Sequence, residues 1–204
     1  MKVVLPSVYL GNIEYYTLLL NSSEVKIDLS ENFQKQTYRN RCTIYGANGA
    51  LNLIVPLQKK GLRSTMKTTE IVPHRHWQKL HWRSLESAYR SAPYFEYYEN
   101  HFESAYQYEY RYIHELNHLL QQKILELLKI TPNIDYIDTY EKTHEGYEDY
   151  RGYFTPKGAK QNSVTKQTQY IQVFGDRHGF IPNLSVLDAL FNLGPQTPTL
   201  LVLK

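Results

Sequence analysis

The sequence predicts an α/β fold, built as a single domain over residues 1–204. Three observations carry that expectation. The chain opens strand–loop–helix–strand, an Asn-Gly pair then separates two apolar runs, and three helical stretches occupy its middle. The expected architecture is an N-terminal parallel βαβ unit in a mixed sheet, a β-hairpin and central helices. A chain of 204 residues can bury a sizeable core without staples. No repeat or linker divides it.

Each element follows from local pattern. Lys2–Leu5 is a short apolar strand, and Pro6–Asn12, with Gly11, is a turn. Ile13–Asn21 is dense in Leu and Tyr and reads as a helix; Glu24–Leu29 alternates as a strand. Such an opening implies parallel strands and a right-handed crossover. A ligand would then sit beyond the first strand's carboxyl end, over Pro6–Asn12. That loop carries neither GxGxxG nor a Walker lysine, so it gives no phosphate-cradle signal. It also lacks the two histidines that nucleotidyltransferases of similar layout place there, and nucleotidyl transfer is not expected. Glu31–Arg41 is a polar loop. Cys42–Tyr45 and Leu51–Leu57 are strands joined through Asn48-Gly49, a hairpin turn. Gln58–Ser64 is a basic loop, and Thr68–Val72 a strand stopped by Pro73.

Trp77–Ser91 is the first central helix. Pro93 starts the second, which runs to Tyr106. The third, Tyr112–Lys129, buries Ile113, Leu116, Leu120, Ile124, Leu127 and Leu128 and ends before Thr131-Pro132. Ile134–Thr139 and Tyr170–Phe174 read as strands, and Thr143–Thr168, without a clear period, as a long loop or flap. A last short helix places Leu184, Leu187, Leu190 and Phe191 on one face. Asn183 or Ser185 caps it, and Gly194-Pro195 ends it.

Composition removes several function classes. The apolar fraction of 42% and charged fraction of 21% are those of a soluble globular chain. A net charge of +3 with no Lys/Arg-rich run argues against nucleic acid. A single cysteine excludes an internal disulfide and points to the cytoplasm. Pro6 comes too early for a signal-peptide core, and no apolar run reaches membrane-spanning length. The 19 tyrosines favour half-wet surfaces such as clefts, sugar platforms and the contacts of a homo-oligomer.

Four constellations could carry chemistry. His114-Glu115-Leu116-Asn117-His118 has zinc-hydrolase spacing: His114 and His118 share a helix face, with Glu115 as base. It lacks a credible third ligand, so no metal or other cofactor is expected; two histidines on a solvated face are the alternative. Aromatic residues from Tyr94 to Tyr112 crowd two helices and their joint, as core, as interface or, at Tyr94, as a ligand contact. Arg39, Arg41, His81, Arg83, Arg151 and Lys157 form a scattered basic set that would suit a diphosphate or carboxylate, or else are surface charges. In the last helix Asp188 and Asn192 lie four apart beside the apolar stripe; they are hydrogen-bond partners between elements or a ligand-facing pair. Cys42 opens an apolar strand and reads as a buried structural thiol.

Several of these stretches resemble the WbqC-like family. Phe180-Ile181-Pro182-Asn183-Leu184-Ser185-Val186-Leu187-Asp188-Ala189-Leu190-Phe191-Asn192-Leu193-Gly194-Pro195 resembles its C-terminal signature. Asp28, Phe33, Lys35, Asn40 and Arg41 fit a second family stretch, and Val55-Pro56-Leu57 a third. Trp77, His81, Tyr89, Ala92, Pro93, Tyr94 and Phe95 fit the tryptophan helix; Asp149-Tyr150-Arg151, Pro156-Lys157 and Tyr170–Phe174 fit the later region. Leu5-Pro6 stands where the family usually has Gln-Pro. The resemblance implies a role in O-antigen or other surface-polysaccharide biosynthesis, with transfer of an acyl or aminoacyl group to an amino sugar or sugar nucleotide. It implies Lys35, Asn40, Arg41, Arg151 and Tyr94 as binding residues for a small anionic substrate, His81 as base and Asp188 as an acid that orients a partner; all but Tyr94 are expected to converge on one cleft near the first strand's carboxyl end. A non-catalytic carbohydrate-binding or assembly protein, and a zinc hydrolase, are the alternatives.

Overall fold

Val3, Val4 and Leu5 have no accessible surface. Strand β1 (Lys2–Pro6) lies between two parallel neighbours and is covered on both faces, which is why it reads as an unbroken apolar run. The computed structural model that shows this describes residues 1–58, 64–155 and 168–203. On one side β1 pairs along its length with β2 (Glu24–Asp28), Lys2 opposite Glu24 and Pro6 opposite Asp28.

The fold is α/β. The expected mixed sheet divides into two. Strands β3 (Arg41–Gly46) and β4 (Gly49–Ile54) form an antiparallel hairpin with its own two-stranded sheet. The turn depends on Gly49, whose φ of 100° suits glycine. Strand β5 (Ile134–Ile137) pairs with β2, and β6 (Glu148–Asp149) pairs with β1 on the side away from β2. The larger sheet is therefore all parallel, in the order β5-β2-β1-β6.

Helix α1 (Ile13–Leu20) links β1 to β2 and completes the expected βαβ unit. Asn12 caps it, its side-chain oxygen accepting from the Tyr15 amide at 3.0 Å. Ile13 to Leu19 are all buried, as in a helix enclosed on every side. The cover comes partly from the chain's other end. The Ile13 amide donates to the Leu184 carbonyl at 3.0 Å, and the Val186 amide to the Gly11 carbonyl at 2.9 Å. Ser185 donates from its amide to the Thr43 carbonyl and caps helix α6 (Val186–Leu193).

The central helices are α2 (His76–Tyr89), α3 (Phe95–Glu103) and α4 (Ile113–Leu128). The stripe from Ile113 to Leu128 is buried as its spacing predicts, with Leu127 packed at its margin. Two expected strands are absent. Thr68–Val72 follows a 3-10 turn over Met66–Thr68 and makes only single bridges, Leu57 with Ile71 and Glu70 with Tyr112. Tyr170–Phe174 has no ladder partner among the described residues. The Gln172 carboxamide takes that place, donating to the Ile181 carbonyl and accepting from its amide, both at 2.9 Å. A short helix α5 (Gly175–His178) then turns the chain. The Thr143–Thr168 stretch holds β6. Its later part, with Pro156 and Lys157, lies outside the described residues, as do residues 59–63 of the basic loop.

Gly194 closes α6 at φ 54°, and a Cβ there would lie 2.4 Å from the Tyr94 ring. Gly194→Ala should therefore cost about 2 kcal/mol or more, from backbone strain and overpacking together. Gly175→Ala, which meets nothing within 4 Å, should cost far less. Urea unfolding of both variants checks this; equal stabilities would refute the Tyr94 contact.

Candidate functional site

Because its strands are parallel, the carboxyl ends of the larger sheet share one edge. The chain moves outward from β1 through β2 to β5 and returns to place β6 on the far side of β1. The switch in direction falls between β1 and β6, where a parallel sheet opens a crevice. A cavity of about 450 Å³ lies at this edge, lined by Glu31, Asn32, Gln34, Tyr140, Asp149 and Arg151 among others.

Its walls are set by five buried or half-buried charges. Asp28 ends β2 with no exposed surface. One of its oxygens accepts from the Ser30 amide at 2.7 Å, the Ser30 hydroxyl at 2.6 Å and the Glu31 amide at 3.2 Å, which turns the chain into the cavity wall. Its other oxygen accepts from Arg151 Nη1 at 2.7 Å. Arg151 also donates to Asp149 from Nη2 at 2.6 Å and Nε at 3.0 Å, and to the carbonyls of Glu141 and Lys142. Arg39, with no exposed surface, grips Glu31 through Nε at 2.9 Å and Nη2 at 2.5 Å. The same Nη2 reaches the Arg151 carbonyl at 2.8 Å.

These environments separate the two carboxylates of the cavity wall. Burial raises the Glu31 pKa above the usual carboxylate range; Arg39 pulls it back in part, and the Asp28 charge adds to the rise. For Asp149 burial also works upward, but the bonds and charge of Arg151 outweigh it and the net shift is down. Both guanidiniums face inward, whereas the Asp149 side chain is 47% exposed. The cavity lining therefore holds two carboxylates, two carboxamides and a phenol ring, and its one guanidinium, Arg151, is bonded to carboxylates and carbonyls of the chain.

Of the residues expected from sequence, Arg151 lines this cavity, and Lys35 is exposed one residue beyond cavity-lining Gln34. The others fall elsewhere. Asn40 donates to the Val55 carbonyl at 2.8 Å and ties off the hairpin. Arg41 opens β3, its buried Nε without a partner among the described residues. Tyr94 packs over Gly194. His81 is buried against Tyr9 and Trp77; its Nδ1 lies 2.9 Å from the Tyr9 hydroxyl, which in turn meets the Tyr106 hydroxyl at 2.6 Å. Asp188 accepts from Tyr89 at 2.9 Å, Tyr170 at 2.5 Å and Gln172 at 2.9 Å. Tyr89 lies two helical turns from His81, roughly 12 Å along α2, so the expected base and its orienting acid belong to different networks. Asn192 donates to the Asp188 backbone carbonyl at 2.7 Å, so that pair serves the helix itself. Cys42 is buried, as expected.

His114 stacks on Tyr112, and His118 packs edge-on to Tyr136. Among the described residues no group of three His, Cys, Asp or Glu could hold a metal ion. No described helix is long and apolar enough to cross a membrane. Apart from Arg151, no wall residue had a role in the sequence reading, and among those missed are both carboxylates, Glu31 and Asp149. The sequence signal the two share is an acid followed by an arginine, eight positions on for Glu31 and two for Asp149.

Comparison with known proteins places these features in context. A model of the WbqC-like protein family matches residues 7–199. Rv1507c, an uncharacterized protein of Mycobacterium tuberculosis, is 25% identical over 210 residues, covering 90% of each chain. No solved structure matches the chain significantly.

Burial lowers the His81 pKa from 6.5 to about 4, so the unfolded chain takes up this proton first. Above pH 6.5 the group leaves stability unchanged; as pH falls from 6.5 toward 4 it removes up to about 3 kcal/mol. Urea unfolding at pH 7 and pH 4.5 should show a loss that is smaller by about 2 kcal/mol in His81→Asn. The same loss in both proteins would mean that His81 is not held neutral.

Proposed function

The chain belongs to the WbqC-like protein family, and from that premise we propose that it is an enzyme of surface-polysaccharide biosynthesis that transfers an acyl or aminoacyl group to an amino sugar or its nucleotide. The observation that carries the reading is the cavity at the carboxyl edge of the parallel sheet, lined by Glu31, Asn32, Gln34, Tyr140 and Asp149. Carboxamides both donate and accept, and carboxylates accept, which matches the paired hydroxyls and amines of a sugar. The exposed ring of Tyr140 offers a flat face to sugar C–H groups. Lys35, next to Gln34, is the nearest free-standing cation in sequence for a diphosphate. A nucleotide-activated substrate and one unpaired, buried cysteine fit a cytoplasmic setting.

Acyl transfer to an amine needs a base and an anchor, and carboxylates whose environments push their pKa values apart can divide those tasks. Glu31 and Asp149 are such a pair. A second reading, a non-catalytic carbohydrate-binding protein, is favoured by one observation: His81 and Asp188 are both engaged in buried networks away from this cavity.

Calorimetric titration with UDP-linked sugars tests the reading. At least one should bind, and Asp149→Asn should weaken it about tenfold, roughly 1.4 kcal/mol, while the melting temperature stays close to that of the wild type. If no sugar nucleotide binds, the reading fails. Binding without turnover of any acyl or aminoacyl donor would favour the second reading.

A further inference from the structure

Among the described residues Arg39 is the largest side chain with no exposed surface, and it is charged. Its Nε and Nη2 hold both oxygens of Glu31, and Nη2 also reaches the Arg151 carbonyl. One guanidinium thus fixes two residues of the cavity wall, from below and out of reach of solvent. An enclosed ion pair of this kind is weak support for a fold. Desolvation of both charges offsets most of their attraction, and well-packed apolar pairs of similar volume are often as stable. A cheaper core was available at these positions, so the pair needs another reason. Glu31 supplies one. Its carboxylate has four lone-pair positions, the two bonds from Arg39 occupy two of them, and the residue lines the cavity.

We propose that Arg39 is a positioning residue that holds the Glu31 carboxylate at the cavity wall, where Glu31 accepts hydrogen bonds from the amino group of the sugar. This deepens the reading of the same cavity as an amino-sugar site and rests on it. The geometry suits that group over an anion. Three carboxylates, Asp28, Glu31 and Asp149, meet two guanidiniums at this edge; the bonds of Arg151 and of Arg39 Nε and Nη2 go to carboxylates and carbonyls of the chain itself, and Arg39 Nη1 is buried without a partner among the described residues. An N-acetylated sugar has one amide hydrogen where the free amine, protonated, has three, and it carries no charge to meet Glu31.

The test compares UDP-glucosamine with UDP-N-acetylglucosamine by calorimetry, so that the nucleotide contacts are common to both. The wild type should bind the free amine at least tenfold tighter, and Glu31→Gln, which keeps the shape, should abolish that preference. The double variant Glu31→Leu/Arg39→Met should unfold at a urea concentration equal to or above that of the wild type and also lack the preference. That combination separates positioning from support, because a purely structural pair would change stability and leave selectivity alone. Equal affinity for the two nucleotides in the wild type, or a preference retained in Glu31→Gln, overturns the inference and leaves the sugar-nucleotide reading standing. Binding of neither overturns both. Glu31→Gln decides the matter if the double variant does not fold.

Discussion

The carboxyl edge of the sheet depends on Arg151. Strand β6 is two residues long and contributes only two paired positions to β1, too short a ladder to fix its own place. Arg151, two residues past it, binds Asp149 behind it and Asp28 at the end of β2. It thereby bridges from one side of β1 to the other. Its bonds to the carbonyls of Glu141 and Lys142 draw in the segment that precedes β6. Bond by bond such contacts contribute little, but a guanidinium shared by two carboxylates and two carbonyls is held from several directions at once. The Arg151 pKa is accordingly raised, first by the hydrogen bond to Asp149.

A second organising contact joins the ends of the chain. Backbone bonds tie Leu184 and Val186 to Ile13 and Gly11, and Ser185 to Thr43. Helix α6 is thereby built against α1, and both can be apolar on nearly every face. A buried carboxylate in that setting is costly unless it is hydrogen-bonded. Asp188 meets the need with two phenols and a carboxamide, all neutral, and its pKa is raised because burial outweighs those three bonds. The reward is tertiary: Tyr170 and Gln172 are held by this acid, and Gln172 in turn holds Ile181, so a stretch without a strand partner still has a fixed course.

Elements whose cause is local were legible in the sequence. The βαβ opening follows from adjacent apolar runs, the hairpin from Asn48-Gly49, and the stripe of α4 from its spacing. Elements whose cause is distant were not. Tyr170–Phe174 alternates like a strand, but only Gln172 and Ile181 face each other there. β6 is Glu-Asp, two residues of poor strand propensity, and exists because β1 lies beside it. The site divides along the same line. Arg151 was visible as a charge in a loop, while its bond to Asp28 spans 123 positions. His81 and Asn40 were singled out from stretches that resemble the family, and Asp188 as an acid beside an apolar stripe. The structure finds them hydrogen-bonded to other parts of the core, the ordinary fate of buried polar groups.

The sign of the cavity shows why residue type alone misleads. The sequence offers Arg39 and Arg41 at the carboxyl end of the Glu31–Arg41 loop and a further arginine at Arg151, and a count of charges points to an anion site. Enclosure reverses it. A guanidinium with five donors is readily consumed by carboxylates and carbonyls of its own chain, and once enclosed it projects no donor outward. A carboxylate held at two of its four lone-pair positions has two left with which to accept. Pairing an acid on the wall with an arginine behind it therefore turns a basic segment into an acceptor surface. At Glu31 the arginine is wholly buried, and at Asp149 it is mostly so, with the acid half exposed. In each pair the acid is the less buried partner.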